Sequence, residues 1–115
     1  MELNDRVSAL KDLFFETNLF RTTGSRCVLH EDNAGIQFEL PATRPRDARK
    51  FLTYLQQKFQ LAKVDFKIKD PDPADITQKY HLIIVPEAEK HNERESQLTD
   101  AVTTLTKIVE AYQWN

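Results

Sequence analysis

The sequence predicts a single α+β domain over residues 1–115, in which helices pack on one face of a four-stranded, mainly antiparallel sheet. Hydrophobic periodicity indicates the order helix, strand, strand, helix, strand, strand, helix (αββαββα), and turn-forming residues separate most of these segments. A chain of 115 residues has the size of one domain and can bury a core without disulfides. The predicted helices span 3–19, 45–60 and 93–113, and the predicted strands span 25–31, 35–41, 62–69 and 79–86.

The first predicted helix carries an apolar stripe that is wider than one packing seam requires. Its regular positions, three or four residues apart, are Leu3, Val7, Leu10 and Phe14. Phe15, Leu19 and Phe20 widen the stripe near its end, and Asn4 is in a position to cap its start. We therefore expect the end of this helix to be either deeply packed or directed at a partner.

A hairpin and a second helix follow. Apolar residues at every second position from Ile36 to Leu40 indicate a strand with one buried face. The turn before it, Asp32–Gly35, contains residues that tolerate a positive φ, as a tight turn requires. The second helix is expected to begin near Thr43, because Pro45 is acceptable in a first helical turn. Its apolar face comprises Phe51, Leu52, Leu55 and Phe59.

The second pair of strands differs in how many faces are apolar. Residues 64–68 alternate between apolar and charged, whereas Tyr80–Val85 is apolar on both faces. A strand of the latter kind is expected to be central in the sheet or covered on both sides. The stiff acidic segment 70–75 between them reads as an exposed connection, because its prolines exclude helix and ladder pairing. The last helix has apolar residues at helical spacing, and Asn92 with Glu95 resembles a capping box.

The composition excludes several classes of protein. No apolar run approaches the about 20 residues that span a bilayer, so no membrane contact is expected. Glu2 and Asp5 stand where a signal peptide would carry positive charge. Cys27 is the only cysteine, so the chain forms no internal disulfide. We expect a cytoplasmic protein.

Charge is segregated along the chain. Residues 41–69 carry a net charge of +6, whereas the segments before and after them carry −3 and −5. The residues proposed for a basic surface are Arg44, Arg46, Arg49, Lys50, Lys67 and Lys69. The second helix and the third strand should direct these side chains to opposite sides of the sheet, so they are not expected to form one continuous patch. A basic interaction surface and an ordinary solvated face both agree with this pattern.

The residue types that carry chemistry are present but not in a recognisable arrangement. Cys27 and His30 have the C-x-x-H spacing of some metal sites, yet on a strand they point to opposite faces. The aspartates of 70–75 lack the glycine and glutamate of a calcium loop. With only two glycines, the chain has no glycine-rich phosphate cradle. We therefore predict no catalytic residue, no metal site and no cofactor.

The pattern of elements resembles the type III secretion chaperone-like fold, which includes the Tir-chaperone and YbjN-type domains. The similar segments are Arg49–Leu55, the strand Val64–Ile68 and the end of the last helix, Val109–Tyr112. The small size and slightly acidic charge also agree with this family. The resemblance implies a dimer without catalytic activity that binds extended partner segments on apolar surface strips.

Two hypotheses for function follow. The first is a non-enzymatic protein-binding domain, either an adaptor or a chaperone-like module, whose partner is another protein or a second copy of the chain. Its candidate partner-binding residues are Phe15, Leu19, Phe20, Ile83, Val85 and Trp114. The second is a small regulator or inhibitor, of the kind that mobile elements encode, acting through the basic middle segment. Its target would be nucleic acid or a nucleic-acid-processing complex.

Overall fold

The computed structural model of the chain describes residues 2–112. Its helices are α1 (Leu3–Glu16), α2 (Pro45–Lys58) and α3 (His91–Ala111), and its strands are β1 (Arg26–Leu29), β2 (Ile36–Pro41), β3 (Val64–Lys69) and β4 (Lys79–Pro86). This is the predicted αββαββα order, so the α+β fold class is confirmed. A short 3₁₀ turn, Glu31–Asn33, joins β1 to β2.

The strands form one antiparallel sheet in the order β1-β2-β4-β3. β4 is central, which confirms the expectation from its two apolar faces. In the middle of the sheet Phe38 pairs with Leu82, and Gln37 pairs with Ile83. Because side chains alternate along a strand, the first pair lies on one face of the sheet and the second pair on the other.

The helices pack against the face that carries Phe38 and Leu82. The largest fully buried side chains come from this face and from the helices above it. At the centre of the core the ring of Phe14 meets Phe20, Phe38 and Phe51 edge to face, at centroid distances of 6.1, 5.5 and 6.2 Å. Such pairs contribute about 1 kcal/mol each beyond the area that they bury.

α1 ends at Glu16, three residues before its predicted end. Asn18 adopts a left-handed conformation with φ of 63°, and the chain turns back toward the sheet there. Leu19 and Phe20 are each 4% exposed as a result, and Phe20 forms a bridge with Ala42. These two candidate partner-binding residues are therefore part of the core.

The helix starts do not use the predicted caps. α1 starts after Glu2 and α3 starts after Lys90, and neither residue makes a side-chain capping bond. Asn4 lies inside α1, and Asn92 lies inside α3, so the predicted cap and capping box are wrong. Side chains from the first two turns of α3 instead form hydrogen bonds with the backbone that precedes the helix.

Arg94 and Gln97 hold that backbone. The Arg94 Nε donates to the carbonyl oxygen of Ala88 at 2.8 Å, and the Ala88 amide donates to Gln97 Oε1 at 3.0 Å. The carboxylate of Asp32 accepts from Arg94 Nη1 at 3.1 Å and from His91 Nδ1 at 2.9 Å. The β1–β2 connection is thereby attached to the start of α3.

The β1–β2 turn uses its special residues in two different ways. Asp32 and Asn33 have positive φ values of 59° and 53°, as the sequence predicts for this turn. Gly35 does not have a positive φ. It is required because a Cβ at this position would lie 2.9 Å from the carbonyl oxygen of Ile84 on the neighbouring strand.

Candidate protein-binding face of the sheet

The second face of the sheet has no helix packed on it within residues 2–112, and we call it the open face. Its side chains alternate with the buried ones along every strand, as the burial patterns of β3 and β4 show. The open face comprises Arg26, Val28, Gln37, Glu39, Asp65, Lys67, Lys69, Lys79, His81, Ile83 and Val85. The sequence of β4 predicts such a face, since its apolar residues point to both sides.

The open face has an apolar centre that consists of Val28 on β1 and of Ile83 and Val85 in the second half of β4. Val28 and Ile83 lie in one row across the sheet, through the pairs Val28–Gln37 and Gln37–Ile83. Both are half-buried by their neighbours, whereas Val85 is 43% exposed. In the described part of the chain, Ile76 is the only other exposed large hydrophobic residue, and it lies in the loop before β4. Val85 lies near the end of β4, one residue beyond its last pair with β2, and pairs with Asp65 of β3 on its other side.

Charged residues surround this centre in loose ion pairs. Glu39 lies between Arg26 and Lys79, with N–O distances of 3.8 and 3.9 Å. Lys67 Nζ lies 3.4 Å from the carboxylate of Asp65. The pair of Lys67 with Asp65 is exposed on both sides and contributes about 0–1 kcal/mol, so it is readily exchanged for contacts with a partner, whereas the Glu39 side chain is only 18% exposed. A ring of polar groups around an apolar centre is the usual anatomy of a protein interface.

Gln37 and His81 lie next to each other within the open face. The Gln37 Nε2 lies 3.2 Å from His81 Nδ1 across the β2–β4 pair. Both side chains are half-buried and carry further hydrogen-bonding groups. They give the centre of the face a polar component in addition to its apolar one.

The structure separates the predicted partner-binding residues. Ile83 and Val85 lie together on the open face. Phe15 is half-buried on α1 and packs against the core, with Lys11 Nζ 5.9 Å from its ring centroid. Trp114 lies outside the described residues. Sequence reasoning missed Val28 as a site residue, although the alternation of residues 26–29 places it on the same face as Arg26.

The predicted basic surface is divided, as the helix and strand geometry indicates. Lys67 and Lys69 lie on the open face, whereas the basic residues of α2 lie beyond the opposite face. Two of the latter are in ion pairs: Arg44 with Asp47 at 3.4 Å, and Arg49 with Asp70 at 3.7 Å. These basic residues therefore do not form one continuous patch.

A surface hollow of about 790 Å³ lies beside α2. Arg46, Arg49 and Lys50 line it together with the rings of Tyr54 and Tyr112, whose centroids are 4.8 Å apart. The hollow combines positive charge with aromatic surface, and proteins use this combination to bind single-stranded nucleic acid.

Neither Cys27 nor the His, Asp and Glu side chains of residues 2–112 are arranged as a reactive thiol or a metal site would require. Cys27 points toward the helices, and burial raises the pKa of its thiol to about 11, although the charge of Lys11 opposes the shift. The thiol therefore stays protonated, and poorly nucleophilic, near neutral pH. Across residues 2–112 no three His, Cys, Asp or Glu side chains converge as metal ligands would.

No known protein family, curated protein or solved structure matches this chain. The part of the chain that the structure describes also contains no helix with the length and apolar character that a bilayer crossing requires.

Proposed function

We propose that this chain is a non-enzymatic protein-binding domain, of an adaptor or chaperone-like kind, that binds a partner protein through the open face. One observation carries the proposal: the apolar centre formed by Val28 of β1 and by Ile83 and Val85 of β4 lies on a face that no helix of residues 2–112 covers, and Val85 is 43% exposed there.

The energetics of this face favour a partner that is apolar at its centre. Complete burial of a valine or isoleucine side chain contributes about 1.5–3 kcal/mol, and part of that gain is still available at Val28, Ile83 and Val85. Binding energy is usually concentrated in such a small central group, with polar surroundings that exclude water. The raised pKa of the Cys27 thiol argues against Cys27 as a catalytic nucleophile.

A second candidate function is regulation of nucleic acid, or of a complex that processes it, through the α2 hollow. The observation that favours it is the presence of Arg46, Arg49 and Lys50 around the ring of Tyr54. Positive charge would bind phosphates there, and the ring would stack on a base. The protein as a whole has a net charge of −2, which weakens this candidate.

One experiment distinguishes the two candidates. The photo-crosslinking amino acid p-benzoylphenylalanine is introduced singly at Val85 on the open face, at Gln57 in the α2 hollow, and at Asp100, an exposed position on α3. After irradiation in the cells that produce the protein, we expect a discrete protein adduct from the Val85 variant. The Asp100 variant reports background.

The outcomes separate clearly. An adduct from Val85 that exceeds those from Gln57 and Asp100 supports binding on the open face. Adducts from Gln57 with none from Val85 contradict the proposal and support the second candidate, and digestion with nuclease or protease identifies what the adduct contains. Adducts at background level from all three positions also contradict the proposal.

A further inference from the structure

The open side of β4 changes in character from one end to the other. It carries Lys79, His81, Ile83 and Val85 in order along the strand. Glu87 follows, and its amide donates to the carbonyl oxygen of Lys63 at 2.9 Å, so the ladder continues by one residue. By alternation Glu87 belongs to the open side. The strand is therefore basic at its start, apolar in the middle and acidic at its end.

β3 carries charges of the same sign at the corresponding ends, with Lys67 in place of an apolar middle. Asp65 pairs with Val85, and Lys69 pairs with His81. The acidic residue of β3 thus lies toward the acidic end of β4, and Lys69 lies toward its basic end. The charges therefore change in the same direction along both strands. Ile83 lies midway along the open side of β4, and its pairing partner Lys67 lies midway between Asp65 and Lys69 on β3.

We propose that the partner on the open face is a second copy of this chain, related by a two-fold axis that crosses the strands at the level of Ile83. This inference rests on the proposed function. A two-fold axis gives an isologous interface, in which each contact between two different residues occurs twice and only residues on the axis meet their own counterpart. Rotation about this axis reverses the strand direction, so the acidic end of one sheet lies over the basic end of the other.

The resulting contacts are complementary. Lys69 of each copy faces Asp65 of the other, and Lys79 faces Glu87. Ile83 packs on Ile83, and sheets that pack face to face in this way lie about 10 Å apart. Lys67 meets its own copy at the edge of the sheet, and its Nζ lies 3.4 Å from Asp65 of the same copy, the carboxylate that also faces Lys69 of the other.

The alternative two-fold arrangement has the wrong charges. An axis parallel to the strands would place β3 over β1, and Lys69 of one copy would then face Arg26 of the other. Like charges opposite each other in an interface are strongly unfavourable. That contact would occur twice, whereas the axis across the strands forms four opposite-charge contacts, two of Lys69 with Asp65 and two of Lys79 with Glu87, against one like-charge contact of Lys67 with Lys67. The axis across the strands is therefore the one that the surface favours.

The size of the face sets the expected strength of the dimer. Four strands about 4.8 Å apart, each presenting about six residues at about 3.3 Å, cover roughly 400 Å² per copy. Stable complexes bury about 800 Å² per partner. We therefore expect a weak dimer whose population depends on concentration between about 1 µM and 1 mM.

The first test uses two isoleucines in different places. Ile83→Asp places a charge at the two-fold axis, whereas Ile76→Asp makes the same change at a residue that is 96% exposed in a loop. Sedimentation equilibrium over the concentration range should show that Ile83→Asp raises the dimer dissociation constant by at least about tenfold. Ile76→Asp should leave it unchanged, and circular dichroism should confirm that both variants are folded.

The second test examines the two-fold arrangement directly. In Lys69→Glu alone, two like-charge contacts form in the dimer, and the same holds for Asp65→Lys alone, so each variant should be monomeric. An equimolar mixture of the two should associate, because the mixed dimer regains an opposite-charge contact at both places. The signal is a mass shift in the mixture that neither variant shows on its own.

The outcomes separate this inference from the proposed function. Association of the mixture, together with loss of dimer in Ile83→Asp, supports the inference. A wild-type protein that is monomeric at 1 mM, or a mixture that does not associate, overturns it. If the wild type is monomeric while the Val85 photo-crosslink contains a different protein, the proposed function stands and only the second copy is excluded.

Discussion

Gly35 allows the chain before β2 to lie close to β4, because glycine has no Cβ. The position next to Ile84 has no room for a side chain, since a Cβ would meet the Ile84 carbonyl oxygen at 2.9 Å. That oxygen belongs to the backbone and cannot move without displacing β4. The requirement for glycine here is spacing and not a positive φ.

Replacement of Gly35 by alanine should therefore destabilise the protein. We expect a loss of about 1–3 kcal/mol in the free energy of unfolding, the usual cost of overpacking. Urea denaturation followed by circular dichroism measures it. Ala34→Ser, at the exposed neighbouring position, should change this free energy by less than about 0.5 kcal/mol. An unchanged midpoint for Gly35→Ala would show that β4 adjusts easily.

Cys27 is the residue whose chemistry the fold alters most clearly. Because burial raises its pKa to about 11, alkylation by iodoacetamide at pH 9 should be at least about tenfold slower than at an exposed thiol. The double variant Cys27→Ala with Ile76→Cys supplies that exposed thiol. Mass spectrometry should show the Cys27 rate rising until about pH 11, whereas the control levels off near pH 8.5.

The sign of the stability effect follows from the same shift. The unfolded thiol ionises at a lower pH than the folded one, so its ionisation favours unfolding as the pH rises from 9.0 to about 11. Below this range the thiol is protonated in both states, so Cys27 contributes no pH dependence to the stability. A Cys27 alkylation rate that levels off near pH 9 would contradict the assignment.

At the scale of the element, Arg94 connects two parts of the chain that are distant in sequence. It donates to Asp32 in the β1–β2 turn and to Ala88 ahead of α3. Arg94→Lys keeps the charge but loses the Nε donor and the planar fork, so we expect a loss of about 1–2 kcal/mol in stability. Hydrogen exchange should accelerate at the Ala34 amide, which bonds to Glu31 within the turn.

A matched substitution isolates this effect. Arg46→Lys makes the same change at an exposed position of α2 and should leave both stability and turn exchange unaltered. If the two variants behave alike, Arg94 is a solvated surface charge and the connection does not depend on it.

The type and order of the elements were predictable, but their ends were not. Periodicity identifies each helix and strand because burial repeats with the geometry of the backbone. The end of α1 depends on the left-handed turn at Asn18, and the start of α3 depends on Arg94 bonding to Ala88. Both are long-range or conformational features that a local pattern does not contain.

The sequence predicted two of the three residues in the apolar centre of the open face, Ile83 and Val85, and missed Val28. The two apolar faces of β4 were sufficient to identify Ile83 and Val85. When helices cover one face of such a strand, the apolar residues of its other face remain accessible to a partner. The sequence did not determine whether Leu19 and Phe20 are buried or bind a partner, because both roles require apolar residues. Only the turn after α1 assigns them to the core.

The strand order has a consequence for folding. β1 with β2, and β3 with β4, form two hairpins of neighbouring strands, and the sheet is completed only when β2 joins β4 across the intervening α2. That junction is the non-local step, so we expect it to form late. The pair of Gln37 and Ile83 lies on the junction and on the open face together. A molecule bound there would bridge the two hairpins, and its concentration would then contribute to the stability of the fold itself.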